Sequence, residues 1–201
     1  MPKLIFLNDK IVKDTEGLLS TLDRGFLYGD GLFETLRAYD KKPFRLEDHV
    51  TRLSNSAQYF DIPFCYTSQQ IRQIIEQLLT ENNLKDASIR MTLSRGLGVD
   101  GLISTGTGTP TFVIHTKPLA AYPASLYKTG VSLITSHILR STTCPISCHK
   151  TLNFLTNYLI KREASEKGAH DALILNTDNH IAECAVSNIF VVEKNTVITP
   201  S

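Results

Sequence analysis

The sequence predicts a mixed α/β (α+β) chain of two domains, and three observations carry that prediction. Short β-branched and aromatic runs recur along the chain, separated by turns rich in Gly, Asn, Asp and Pro. Amphipathic segments with helical spacing interrupt these strands in both halves. Between the halves, Pro118-Leu119-Ala120-Ala121-Tyr122-Pro123 is bracketed by prolines and has no period, which reads as a linker. The expected division is a first domain over 1–117, a linker over 118–123 and a second domain over 124–201, a split that 201 residues can accommodate.

The elements follow in order. Lys3 to Leu7 is a short apolar strand, and Asn8-Asp9-Lys10 turns it into a second. Gly25, Gly29 and Gly31 put three glycines in seven residues, a mark of close backbone approach or positive φ. Phe33 to Tyr39 reads as a strand and Asp40-Lys41-Lys42-Pro43 as a turn. Leu46 to Tyr59 places Leu46, Val50, Leu53 and Ala57 on one helical face. A second amphipathic helix, with Ser68 as its cap, carries Ile71, Ile74, Ile75, Leu78 and Leu79. Ala87 to Ser94 alternates as a strand, Gly96 to Gly108 is a loop, and Thr111 to His115 is a strand. Beyond the linker come a strand at Val131 to Ile134 and a helix from Asn153 to Lys167 ended by Gly168. Hairpins follow over 171–183 and 189–198. The chain ends at Pro200-Ser201 directly after a strand, which predicts that the domain continues downstream.

Composition excludes several function classes. A formal net charge of +1 gives no electrostatic basis for nucleic acid or an anionic membrane as main partner. No apolar run approaches the roughly 20 residues that span a bilayer. The N-terminus reaches a turn too soon for a signal-peptide core. Cys65, Cys144, Cys148 and Cys184 are scattered, which predicts reduced thiols in a cytoplasmic protein. The six histidines show no paired ligand spacing on a helix, so no metal site is expected. Gly29-Asp30-Gly31 precedes a strand, unlike a dinucleotide fingerprint.

Three residues carry chemistry together: Lys150, Glu183 and Arg52. A neutral lysine amine condenses with an aldehyde. A carboxylate holds a pyridine nitrogen protonated and turns the ring into an electron sink. An arginine binds phosphate through two parallel hydrogen bonds. These are the requirements of pyridoxal 5′-phosphate. Taken singly, Lys150 is a surface lysine, and Arg52 a solvated helix residue or an i,i+4 partner of Asp48. Glu183, among small and apolar neighbours in Ile181-Ala182-Glu183-Cys184-Ala185-Val186, demands a partner.

Four motifs in order resemble the fold-type IV pyridoxal-phosphate enzymes, the class IV aminotransferase family. They are Asp23-Arg24-Gly25 with Gly29-Asp30-Gly31-Leu32-Phe33-Glu34-Thr35, then His49-Val50-Thr51-Arg52-Leu53, Lys150-Thr151-Leu152-Asn153, and Glu183-Cys184-Ala185-Val186-Ser187-Asn188-Ile189-Phe190. The resemblance implies a small N-terminal α/β domain, a larger C-terminal β-barrel-like domain incomplete at its C-terminus, and a homodimer. It makes Lys150 the Schiff-base lysine, Glu183 the partner of the pyridine nitrogen and Arg52 a phosphate ligand, with Ser187 and Asn188 beside the cofactor. Many relatives have a tyrosine at the position of Phe154, so its hydrogen bond is lost unless Tyr158 or another group supplies it. His149 is expected to be a wall or packing residue.

Subfamily features leave the reaction open between three classes. D-amino-acid aminotransferases hold the substrate carboxylate with an arginine and a histidine where Asp100 and Leu102 align, and a negative Asp100 would repel that group. Branched-chain enzymes keep an arginine that Arg90 matches, but Ser88 falls where they have an aromatic residue. Ser94-Arg95-Gly96-Leu97-Gly98 resembles the 4-amino-4-deoxychorismate lyases, although many of those have another arginine in place of Asp100. The leading expectation is this lyase, forming 4-aminobenzoate and pyruvate, with Phe33, Arg90 and Arg95 as substrate contacts. The alternatives are an aminotransferase using 2-oxoglutarate and a non-catalytic homologue.

Overall fold

The computed structural model describes residues 3–98, 101–103 and 108–200. They fall into two compact units, one of 1–121 with 149–152 and the other of 122–148 with 153–201. The segment carrying Lys150 therefore lies with the first unit, not with the 124–201 domain expected of it. Its backbone hydrogen bonds decide this, as described below.

In the first unit, β1 (Leu4–Leu7), β2 (Lys10–Lys13), β3 (Gly31–Tyr39), β4 (Lys42–Pro43), β5 (Ala87–Leu97) and β6 (Thr109–Pro118) form one sheet in the order β2-β1-β6-β5-β3-β4. All of its pairs are antiparallel. A five-residue helix, α1 (Arg24–Tyr28), precedes β3, and α2 (Leu46–Tyr59) and α3 (Ser68–Glu81) follow β4. Leu32, Leu36 and Ala38 of β3, and Ile89, Met91 and Leu93 of β5, turn to the same core. Against them pack Leu46, Val50, Leu53 and Ala57 of α2 and Ile71, Ile75, Leu78 and Leu79 of α3, the two faces expected from helical spacing.

Several boundaries differ from expectation for local reasons. The cap of α3 is Thr67, not Ser68: its hydroxyl accepts from Gln70 N at 3.2 Å while Gln70 Oε1 accepts from Thr67 N at 2.8 Å, a reciprocal capping box. Helix α1 was not expected, since five residues are too few to show a period; Asp23 accepts from Gly25 N, and Gly29 closes it at φ 67°. Strand β5 runs three residues past Ser94 through a register shift between Ser94 and Leu97. Gly96, at φ 74°, permits that bulge, because a Cβ there would collide with the Thr109 carbonyl.

The second unit contains α4 (Ala124–Thr129), β7 (Leu133–Thr135), a 3₁₀ turn at Pro145–Cys148, α5 (Leu155–Glu166), β8 (Asp171–Leu175), β9 (Ile181–Cys184), β10 (Val191–Glu193) and β11 (Thr196–Ile198). Strand β8 pairs in parallel with β7 and antiparallel with β9, while β10 and β11 form a separate hairpin. Ile160 and Ala164 of α5 pack on Ala172 and Ile174 of β8 and on Ala185. Of the expected barrel-like core the described residues form only this sheet and hairpin: β7 and β9 each pair on one side only, so no barrel closes among them. No helix among the described residues is long and apolar enough to cross a membrane.

Candidate active site

Lys150 is positioned by strand pairing. Strand β4 covers only Ala38 and Tyr39 on its edge of β3, which leaves the Gly31–Phe33 stretch open. The Lys150 segment fills it. Phe33 N donates to Lys150 O at 2.9 Å, Leu152 N donates to Gly31 O at 2.9 Å, and Thr151 bridges Leu32 antiparallel. His149 anchors the near end: Nδ1 lies 3.0 Å from Ser56 Oγ, and the ring packs 4.5 Å from the Tyr59 ring and 4.8 Å from that of Phe60. It is a packing residue that ties α2 to the Lys150 segment.

Gly31 is needed because Leu152 lies over its α-carbon. An added Cβ would sit 2.5 Å from Leu93 O, 2.7 Å from Leu152 Cδ1 and 2.9 Å from Ser94 Cα. Gly31→Ala is expected to lower stability by about 1–3 kcal/mol, the usual overpacking range, and to shift Leu152 and with it Lys150. Thermal denaturation and borohydride trapping of cofactor on Lys150 check this; an unchanged melting temperature with full trapping contradicts it.

On the sheet face opposite the helices, Phe33 lies beside the amine. Phe33 is buried, with Lys150 Nζ 4.6 Å and the Arg90 guanidinium carbon 3.8 Å from its ring centroid. Thr35, Arg90 and His115 are cross-strand neighbours in one row, and Thr92 faces Phe33 in the next. Burial lowers the Arg90 pKa. Burial and the Arg90 charge together hold His115 below the usual histidine range, with Asp14 opposing them. No hydrogen bond or ion pair to Arg90 is formed among the described residues. Stacked on Phe33, with Thr35 and His115 as cross-strand neighbours, the guanidinium is set to take an anion.

Arg52 does not pair with Asp48, which instead holds Arg45 at 2.6 Å. Its Nε and Nη2 donate to the two oxygens of Glu34 at 2.5 and 2.6 Å, and His49 Nδ1 lies 2.7 Å from Glu34 Oε2. Glu34 is 1 % exposed. Burial pushes its carboxyl up, but the hydrogen bonds and charges of Arg52 and His49 more than offset this and leave it below the ordinary range. One side of the guanidinium is committed to Glu34, and the Nη1 edge stays available for an anion.

Arg95 does not present itself to a ligand. Its Nε donates to Asp30 Oδ2, Nη1 to Asp61 O and Nη2 to Phe60 O, all at 2.8 Å. Arg24 shares Asp30 Oδ2 at 2.9 Å and reaches the carbonyls of Gly101 and Leu102 at 2.8 and 2.7 Å. Burial of Asp30 raises its pKa, and the two arginines outweigh that and lower it. Arg95, expected as a substrate contact, is engaged with Asp30 and the end of α2, while Arg24 joins Asp30 to the loop after β5. Asp100, on which the subfamily comparison partly turns, lies outside the described residues.

In the second unit Glu183 is half-exposed, and its Oε1 lies 2.5 Å from Arg140 Nη2. Arg140 Nη2 also donates to Asn157 Oδ1 at 3.4 Å, and Asn157 Nδ2 donates to Ala185 O at 2.7 Å. Arg140 Nε is buried without a hydrogen-bond partner among the described residues, an omission that ordinarily costs about 1–3 kcal/mol. Ser187, expected beside the cofactor, donates its hydroxyl to Asp171 Oδ2 at 2.9 Å and so braces the β8–β9 sheet. Asn188 is exposed. Phe154 precedes α5 and accepts from Tyr158 N at 3.1 Å, and Tyr158 is stacked by Arg162, 6.0 Å from its ring centroid.

Sequence reasoning missed Glu34 and Arg140 as site residues. Glu34 had a signal, since an acid on the core face between Leu32 and Leu36 needs a partner as much as Glu183 does. Arg140, in Ile138-Leu139-Arg140-Ser141, had none.

The family description "Amino-transferase class IV" matches residues 31–201. The chain belongs to the class IV aminotransferases. A putative branched-chain-amino-acid aminotransferase of Methanocaldococcus jannaschii is 34% identical over 197 residues, 98% of this chain and 67% of that protein. An aminodeoxychorismate lyase of Bacillus subtilis is 30% identical over 200 residues, 98% of this chain and 67% of that protein. The chain thus spans about two thirds of the length of these curated relatives. A branched-chain amino acid aminotransferase of T.th., solved with pyridoxamine 5′-phosphate, superposes with a TM-score of 0.90 at 27% identity, covering 99% of this chain and 68% of that one. As a class IV aminotransferase the chain is an enzyme of a family dependent on pyridoxal 5′-phosphate. Taken by chemistry alone, the donors in each unit suit that cofactor: in the first an amine beside Phe33 and an arginine with an edge not used by Glu34, in the second a carboxylate with one oxygen engaged.

Proposed function

We propose that the protein is a 4-amino-4-deoxychorismate lyase that releases 4-aminobenzoate and pyruvate. The observation that carries this is the face around Lys150. Thr35, Arg90, Thr92 and His115 lie there beside Phe33 and Val113, so the face is largely polar and carries the Arg90 cation. Such a face suits a cyclic, carboxylate-bearing substrate better than an aliphatic side chain, which calls for apolar walls. Phenylalanine at position 154 and the 30% identity to the B. subtilis lyase support the same reading.

In this reading Arg52 holds the cofactor phosphate with the guanidinium edge that Glu34 leaves open. Glu183 would partner the pyridine nitrogen and keep it protonated. Bound there, pyridoxal 5′-phosphate supplies an electron sink for charge developing on the substrate carbon that bears nitrogen. The Nζ of Lys150 takes the proton from that carbon. Arg90 anchors a substrate carboxylate and fixes the carbon near that amine. The enolpyruvyl group departs through its ether oxygen and takes up a proton to become pyruvate, and the carbocycle becomes aromatic. The exposed apolar side chains of Leu18, Leu22 and Phe26 support a homodimer.

A second reading is amino transfer from branched-chain amino acids to 2-oxoglutarate, favoured by the 34% identity to the M. jannaschii protein and by Arg90 itself. One assay separates the two. Purified full-length protein is expected to release 4-aminobenzoate from aminodeoxychorismate without an amino acceptor. No release, together with 2-oxoglutarate-dependent turnover of leucine, overturns the lyase in favour of the transaminase.

A further inference from the structure

We propose that Arg140 is a positioning residue that acts through Glu183, holding one carboxylate oxygen so that the other is aimed at the cofactor nitrogen. This rests on the reading that Glu183 partners that nitrogen. The geometry is an incomplete grip. A guanidinium ordinarily takes a carboxylate with two parallel hydrogen bonds. Here a single nitrogen, Nη2, meets a single oxygen, Oε1, at 2.5 Å, and Oε2 forms no hydrogen bond among the described residues. Nε is left buried with no partner among the described residues, though rotating the fork toward Glu183 would use it. A pair built only for stability would close both bonds.

The surroundings hold this arrangement. The backbone of Arg140 is tied to the end of β8: its N–H donates to Leu175 O at 2.8 Å, and its carbonyl accepts from Thr177 N at 3.0 Å. Glu183 faces Ile174 across the same strand. Asn157, whose amide donates to Ala185 O at 2.7 Å, gives Nη2 a second acceptor and limits its rotation. Two backbones and a buried amide therefore fix the cation, and the cation fixes one oxygen of the acid. An unpaired Glu183 on this half-exposed strand would sample several rotamers.

The test uses holoenzyme loaded with cofactor labelled with ¹⁵N at the ring nitrogen. Glu183→Gln is expected to move the nitrogen signal toward its unprotonated position. Arg140→Gln is expected to move it the same way and to lower kcat about 10–100-fold, the range seen when a supporting partner of a site residue is lost. Arg140→Lys, which keeps the charge and one donor, is expected to retain the wild-type signal and most of the activity. If Glu183→Gln moves the signal and Arg140→Gln does not, the proposal fails while the role of Glu183 stands. If Glu183→Gln leaves the signal in place, that role fails and the proposal falls with it. Should Arg140→Gln not fold, Arg140→Lys decides: a wild-type signal supports the proposal and a displaced one overturns it.

Discussion

Lys150→Ala is expected to abolish turnover, with a loss of about 10⁴-fold, the upper end for removing an acid–base group. In the proposed reading the same amine would be both covalent attachment point and proton carrier, so no neighbour would inherit both tasks. The side chain lies over Phe33, and the segment that carries it is held by two backbone hydrogen bonds that alanine leaves intact. The variant should therefore fold normally and lose only chemistry. Borohydride treatment of wild-type holoenzyme is expected to fix cofactor to the peptide containing Lys150, and the variant should show no fixation. Activity retained in Lys150→Ala, or fixation at a different lysine, would remove Lys150 from the mechanism.

Glu183→Gln is expected to lower kcat about 10²–10³-fold, the range for deleting one preorganised electrostatic group, while cofactor remains bound. Glutamine keeps the volume and a hydrogen-bonding oxygen for Arg140, so the sheet is undisturbed and the charge alone is removed. Without that charge the ring nitrogen is not held protonated, and the substrate carbon gives up its proton less readily. The measurement is kcat beside the visible absorption of bound cofactor. A wild-type kcat in a fully loaded variant would show that Glu183 does not face the ring nitrogen.

Much of the first unit was legible because its helices bury one face each. Leu46, Val50, Leu53 and Ala57 repeat at helical spacing, and Ile89, Met91 and Leu93 alternate, so period alone assigns them to helix and strand. Short elements held by single caps or bulges were not legible. Helix α1 exists through Asp23 and Gly29, and the extension of β5 depends on Gly96. Arg95 and Ser187 show a further limit. Their residue types suit a ligand, but Asp30 and Asp171 take their hydrogen bonds, and partners 65 and 16 positions away leave no local pattern.

By itself, the sequence determined the chemistry available: an amine, an acid and an arginine within four motifs whose order carries the family, which the match over residues 31–201 bears out. Tertiary structure alone decided what each of these groups is joined to. It placed Lys150 on the open edge of β3, gave Arg52 to Glu34 and gave Glu183 to Arg140. The physical reason is range. Periodicity and motifs report interactions within a few residues, whereas a half-buried charge is settled by whichever opposite charge the fold brings within about 3 Å.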